Sequence, residues 1–154
     1  MKLCLVIPLA MLTGCVSTEA PKPAAAPVKR AAPVDESRKM PLENRVSVGV
    51  VDDHALGKSW LPGGTVGHYK KGTQEWDLIL VKANSSATAA GWLLDYKKEL
   101  EGAKLVPSFG GFYGADKGRL VFFFAKGPSL AVVAGLSEPD ADAIARVFAS
   151  RLSY

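Results

Sequence analysis

Near the C-terminal end, Leu120-Val-Phe-Phe-Phe-Ala125 and Leu130-Ala-Val-Val-Ala134 flank the short turn Lys126-Gly-Pro-Ser129, and neither run contains a polar residue. Two β-prone runs joined so closely predict a hairpin. A strand sends successive side chains to opposite faces, so a run without polar alternation carries an apolar set on each face, and both faces must be covered. One helix cannot do this alone. A second covering element is required.

Two segments have helical periodicity. Asn84-Ser85-Ser86 supplies N-cap candidates, and Ala89, Trp92, Leu93, Tyr96 and Leu100 recur at helical spacing before Gly102, which predicts a helix over 86–101. Ser137-Glu-Pro-Asp140 has the form of a capping box with an early proline and first-turn carboxylates. Ala141, Ile144, Ala145, Phe148 and Leu152 then fall on one stripe, which predicts a closing helix. Further strands are expected at Arg45–Val51, ending at Asp52-Asp53, at Thr65–Tyr69, at Trp76–Lys82, and at Lys104–Tyr113, a run broken by Pro107 and Gly110-Gly111. The order is ββ(β)-α-βββ-α. This predicts an α+β fold with a mixed or mainly antiparallel sheet of five or six strands and two helices. A length of 154 residues with 48% hydrophobic and 22% charged residues suits one such domain, placed at 45–154.

The opening residues have another character. Met1-Lys2 precedes a short apolar run from Leu3 to Leu12, interrupted by Pro8, which is the layout of an export signal and too short to span a bilayer. Leu12-Thr13-Gly14-Cys15 follows, and it resembles the lipobox of bacterial lipoproteins. The resemblance implies removal of residues 1–14, thioether-linked diacylglycerol and an N-acyl chain on Cys15, and membrane attachment through that anchor. Several acyl chains hold a protein stably where one does not. In diderm bacteria an aspartate just after the cysteine usually retains such a protein at the inner membrane; Val16 stands there, so the resemblance implies the outer membrane, at its periplasmic face. The only other cysteine, Cys4, would leave with the signal, so the folded part would hold neither a disulfide nor a cysteine metal site. Residues 15–44, with Pro21, Pro23, Pro27, Pro33 and Pro41 among alanines and scattered charges, read as a flexible tether that could reach roughly 90 Å if fully extended.

Motifs for chemistry are sparse. His54 and His68 have no histidine partner at metal-binding spacing, and no metal ligand set or other cofactor is expected beyond the lipid. Asp52-Asp53-His54 is the densest polar cluster. It offers two carboxylates and an imidazole for acid and base work, or a strand-end turn. No Gly-x-Ser-x-Gly elbow occurs, and Leu61–Gly67 and Phe109–Gly114 lack the spacing of phosphate cradles, so no catalytic residue is assigned. A net charge of +4, with 19 basic residues set against 15 acidic ones, creates no polyanion-binding field, and no nucleic-acid partner is expected.

Trp60, Phe109, Phe112 and Tyr113 lie beside glycines or prolines. They are candidates for a contact surface, or alternatively a cap folded over the core. These readings converge on a lipid-anchored binding or assembly module with an envelope protein as partner. Two alternatives stay open: an apolar-ligand or lipid carrier lined by Phe122–Phe124, and a small hydrolase using Asp52, Asp53 and His54.

Overall fold

The structure is a computed structural model that describes residues 32–153. The signal-like stretch, Cys15 and the first half of the expected tether lie outside the described residues. The strands are β1 (Arg45–Asp53), β2 (Pro62–Lys71), β3 (Gln74–Lys82), β4 (Glu101–Val106), β5 (Gly111–Asp116), β6 (Arg119–Lys126) and β7 (Ser129–Ala134). The helices are α1 (Ser86–Glu99) and α2 (Glu138–Ser150). All seven strands join one antiparallel sheet in the order β1-β2-β3-β7-β6-β5-β4, so the α+β class holds with more strands than expected.

The extra strand comes from 104–113. Pro107 and Gly110 do not interrupt one strand there; they form the turn of a hairpin, with Leu105 opposite Phe112 and Val106 opposite Gly111. α1 also ends earlier than predicted. Leu100 is already extended, and Gly102, at φ +61°, sits in the bulge of β4 instead of capping the helix. At the start of α1 the predicted cap is present, with the Ser85 hydroxyl accepting from the Thr88 N–H at 3.1 Å. Ser137 caps α2 differently from a capping box: its hydroxyl donates to the Asp140 carboxylate at 2.7 Å, and no backbone N–H bonds to it.

The β6–β7 hairpin occupies the middle of the sheet and is covered on both sides. Phe122, Phe124, Ala131 and Val133 face α2 and pack with Leu78, Leu80, Ala141, Ala145 and Phe148. Val121, Phe123, Leu130 and Val132 face α1 and pack with Ile79, Val81, Leu93 and Tyr96. Strand alternation thus divides one continuous apolar sequence between two cores.

The ordered domain begins before residue 45. Ser37–Lys39 forms a 3₁₀ turn, and Met40 is fully buried in the α2-side core. The Glu36 N–H donates to Thr65 Oγ1 at 2.9 Å, the Tyr69 hydroxyl to the Pro41 carbonyl at 2.9 Å, and the Lys70 N–H to the Asn44 carbonyl at 2.9 Å. Composition gave no sign of this, because a single large apolar side chain among prolines and charges does not register as a core segment. The tether reading is therefore corrected from about residue 36 onward. Met40→Ala should cost about 2–3 kcal/mol in urea unfolding, whereas Leu42→Ala, at an exposed position, should leave the midpoint unchanged; equal midpoints for both would return Met40 to the tether.

Candidate binding cleft

The structure disperses the residues singled out from sequence. Asp52, Asp53 and His54 are all exposed where the chain leaves β1. His54 is left-handed at φ +55°, its N–H donates to Asp53 Oδ1 at 2.9 Å, and its Nε2 lies 3.6 Å from Asp53 Oδ2. The cluster is a strand-end turn. Phe112 is buried against Phe123, with ring centroids 5.7 Å apart. Phe109 packs at 5.5 Å on Phe122 and 4.9 Å on Phe124, and the Tyr113 hydroxyl donates to the Leu136 carbonyl at 3.2 Å. Trp60 Nε1 donates to Glu99 Oε1 at 2.6 Å on the opposite side of the sheet. These four aromatics cap two different cores and do not make one contact surface. Phe122, Phe123 and Phe124 are packed among core side chains on both faces of the sheet.

Three arrangements were not visible in the sequence. On the α1 side, the segment 54–61 straps across the sheet and is fastened by Lys58, only 8% exposed. Its ammonium lies 2.7 Å from Glu99 Oε2 and 3.1 Å from Asp116, which also accepts from the Tyr96 hydroxyl at 2.9 Å. Burial alone would lower the Lys58 pKa, but the hydrogen bonds to Glu99 and Asp116 outweigh it, and the net shift is upward. Glu99 is held below its ordinary range, first by its bond to Lys58. Burial, followed by the bond to Asp116, pushes the Tyr96 phenol well above its ordinary value and keeps it a donor.

The second arrangement is a row across three strands. Register sets Ser47 opposite His68, and His68 opposite Asp77. Asp77 bonds to His68 Nδ1 through one oxygen and meets the Arg119 guanidinium at 2.7 Å through the other. A carboxylate that orients an imidazole is half of a nucleophilic site, yet no hydrogen bond joins Ser47 to the imidazole among the described residues.

The third arrangement is a cleft of about 240 Å³ between the N-terminal segment and α2, lined by Pro41, Glu43, Asn44, Tyr69, Lys71, Gln74, Trp76, Leu136, Asp140, Ala143, Ile144 and Val147. Its floor is a cross-strand pair, Tyr69 opposite Trp76, with rings stacked at 5.6 Å and 14°. Gly67 leaves room for this pair: a Cβ there would lie 2.8 Å from the Tyr69 ring. Burial raises the Tyr69 pKa, so its hydroxyl stays protonated and holds the Pro41 lip. Trp76 is 4% exposed, and its Nε1, a donor only, has no hydrogen-bond partner among the described residues. An unmade bond of this kind costs about 1–3 kcal/mol. The walls from α2 and residues 41–44 come from segments far from β2 and β3 in the chain.

Among the described residues, no group of three or more His, Cys, Asp or Glu side chains could hold a metal ion. No described helix is long and apolar enough to cross a membrane. No family model, curated protein or solved structure matches the chain.

Lys58→Met should destabilise the domain by about 2 kcal/mol at neutral pH, because two carboxylates lose their cation. The depressed Glu99 contributes stability above its ordinary value of 4.5, and this is lost as pH falls through its folded value. The raised Lys58 contributes stability below 10.5, and this is lost as pH climbs through its folded value. Urea midpoints of wild type and Lys58→Met should therefore differ most between these limits and converge on the acid side; a constant gap would refute the clamp.

Proposed function

We propose that this chain is a lipid-anchored binding module at the periplasmic face of the outer membrane, held through Cys15 and engaging an envelope protein with the cleft between residues 41–44 and α2. The observation that carries the binding assignment is the surface cleft itself, whose walls combine aliphatic Leu136, Ile144 and Val147 with a polar rim of Glu43, Lys71, Gln74 and Asp140. Anchor and cleft are also connected along the chain, since the Pro/Ala-rich stretch after Cys15 leads into the segment that forms one wall. The lipobox resemblance supports the anchor, and the Pro/Ala-rich composition supports a tether that lets the domain search for its partner.

A fatty-acid probe should label the wild type and leave Cys15→Ser unlabelled, with the latter released from the membrane fraction. A photo-crosslinking residue placed at Val147, on the exposed rim, should capture one envelope protein in cells. The same residue at exposed Leu94 on α1 should not. Equal capture from both positions would remove the cleft from the proposal, and label retained by Cys15→Ser would remove the anchor.

A further inference from the structure

We propose that the outer edge of β1 is a self-association surface, at which two copies of this chain pair β1 to β1 antiparallel, with Gly49 on the two-fold axis, and join their sheets into one. β2 bonds β1 on one side, and no strand pairs with its other side among the described residues. Such an edge presents a row of backbone donors and acceptors, which folded domains guard with charges, prolines or bulges. The opposite edge is guarded in this way: β4 carries Glu101 and Lys104 within six residues, and its register shifts between them. β1 is not. Between Arg45 and Asp52 it reads Val-Ser-Val-Gly-Val-Val, without a charge or a proline, and Val46, Val50 and Val51 are exposed. Its one irregularity falls between Arg45 and Ser47, so the strand beyond stays in regular register with β2. No residue of β1 lines the cleft beside α2, and the two surfaces are independent.

Charge selects a second copy as the occupant. β1 is basic where it starts, at Arg45, and acidic where it ends, at Asp52-Asp53. Antiparallel pairing lays each basic end on an acidic one, whereas parallel pairing in register would set like charges together. The surroundings keep this polarity. Arg38 and Arg151 line one hollow with Arg45; Asp35 acts on Arg38, Glu36 is taken by Lys39 at 2.8 Å, and Arg151 donates to the Lys39 and Arg38 carbonyls. At the other end His54 engages Asp53. Neither Arg45 nor Asp52 has an ion-pair partner among the described residues. Both lie on the α2 side of the sheet, Arg45 opposite Tyr69, and Asp52 by alternation with Val48 and Val50. Residues opposite each other in a sheet share a face, so the axis must relate one residue to its own copy, and Gly49 is the middle of β1. That register sets Val48 against Val50 of the second copy, Ser47 against Val51, and Arg45 beside Asp52. The single chain has no need of glycine there, since a Cβ would meet nothing within 4 Å and the backbone is not left-handed. A glycine inside a strand marks the close approach of another backbone.

The test uses the full-length chain in the envelopes of cells that make it. Gly49→Cys, which the open space at that position tolerates, should give a disulfide-linked homodimer under mild oxidation with copper phenanthroline. Directly opposite Cα atoms lie about 4.5–5.5 Å apart, within the roughly 4.4–6.8 Å that a disulfide spans. The unchanged chain sets the background, and Leu105→Cys, exposed on the β4 edge, should not exceed it. In the Gly49→Cys background, Arg45→Asp and Asp52→Arg should each lower the dimer yield about tenfold, because each sets like charges together at both ends of the pair. Made together in one cell, these two variants should recover the yield as a mixed dimer, since the acidic-ended chain of one fits the basic-ended chain of the other. Recovery would also show that each variant still folds. A Gly49→Cys chain that forms no dimer above background, an equal yield from Leu105→Cys, or no recovery on mixing would overturn the proposal. So would a photo-crosslink from position 50 to a different protein, which would give the edge to another partner.

Discussion

Burial of the β6–β7 hairpin on both faces is the constraint on which the rest of the molecule depends. Each of Phe122, Phe123, Phe124, Val132 and Val133 is essentially inaccessible, and full burial of such side chains contributes about 1.5–3 kcal/mol apiece. That gain exists only if each face has its own roof. α1 packs on β5, β6 and β7 from one side and α2 on β6 and β7 from the other. The chain path serves the same end. After β3 it crosses to the far edge through α1, returns as a meander, and places β7 against β3 in the centre of the sheet.

A helix with its side chains is about 10–12 Å across, whereas seven strands at about 4.8 Å spacing spread over roughly 29 Å. Two helices therefore cannot roof the whole sheet. The β1–β2–β3 side is finished by two irregular segments, one on each face. Residues 36–44 are held by Met40 and by hydrogen bonds to Thr65, Tyr69 and Lys70. Residues 54–61 are held by Lys58 and Trp60. Such roofs fit less closely than helices, and the candidate binding cleft opens where one of them meets α2.

The two roofs differ in how polar groups are satisfied. On the α1 side, Lys58, Glu99, Asp116, Tyr96 and Trp60 form a connected set in which each buried donor meets an acceptor. Such a set makes the strap rigid. On the α2 side, Trp76 Nε1 is left over. Two indoles on opposite faces of one sheet thus have different fates. Trp60 is bonded within the fold, and Trp76 Nε1 is buried with no hydrogen-bond partner among the described residues.

Several features of the domain were legible before any coordinates. Gly- and Pro-containing turns, the helical stripe from Ala89 to Leu100 and the non-alternating runs at 120–125 and 130–134 are local signals, so helix positions, the hairpin and the need for cover on two sides could be read directly. The seventh strand was missed because Pro107 and Gly110 signal a break in the same way whether the chain turns back or merely bulges. Met40, Lys58 and Trp76 were missed for a further reason. Their environments are assembled from partners far away in sequence, Lys58 from Glu99 and Asp116, and Trp76 from Pro41, Leu136 and α2. Periodicity determined by itself which residues must leave water; only tertiary packing decided which polar groups would be matched when they did, because a hydrogen bond needs a partner within about 3 Å and chain order does not specify such distances.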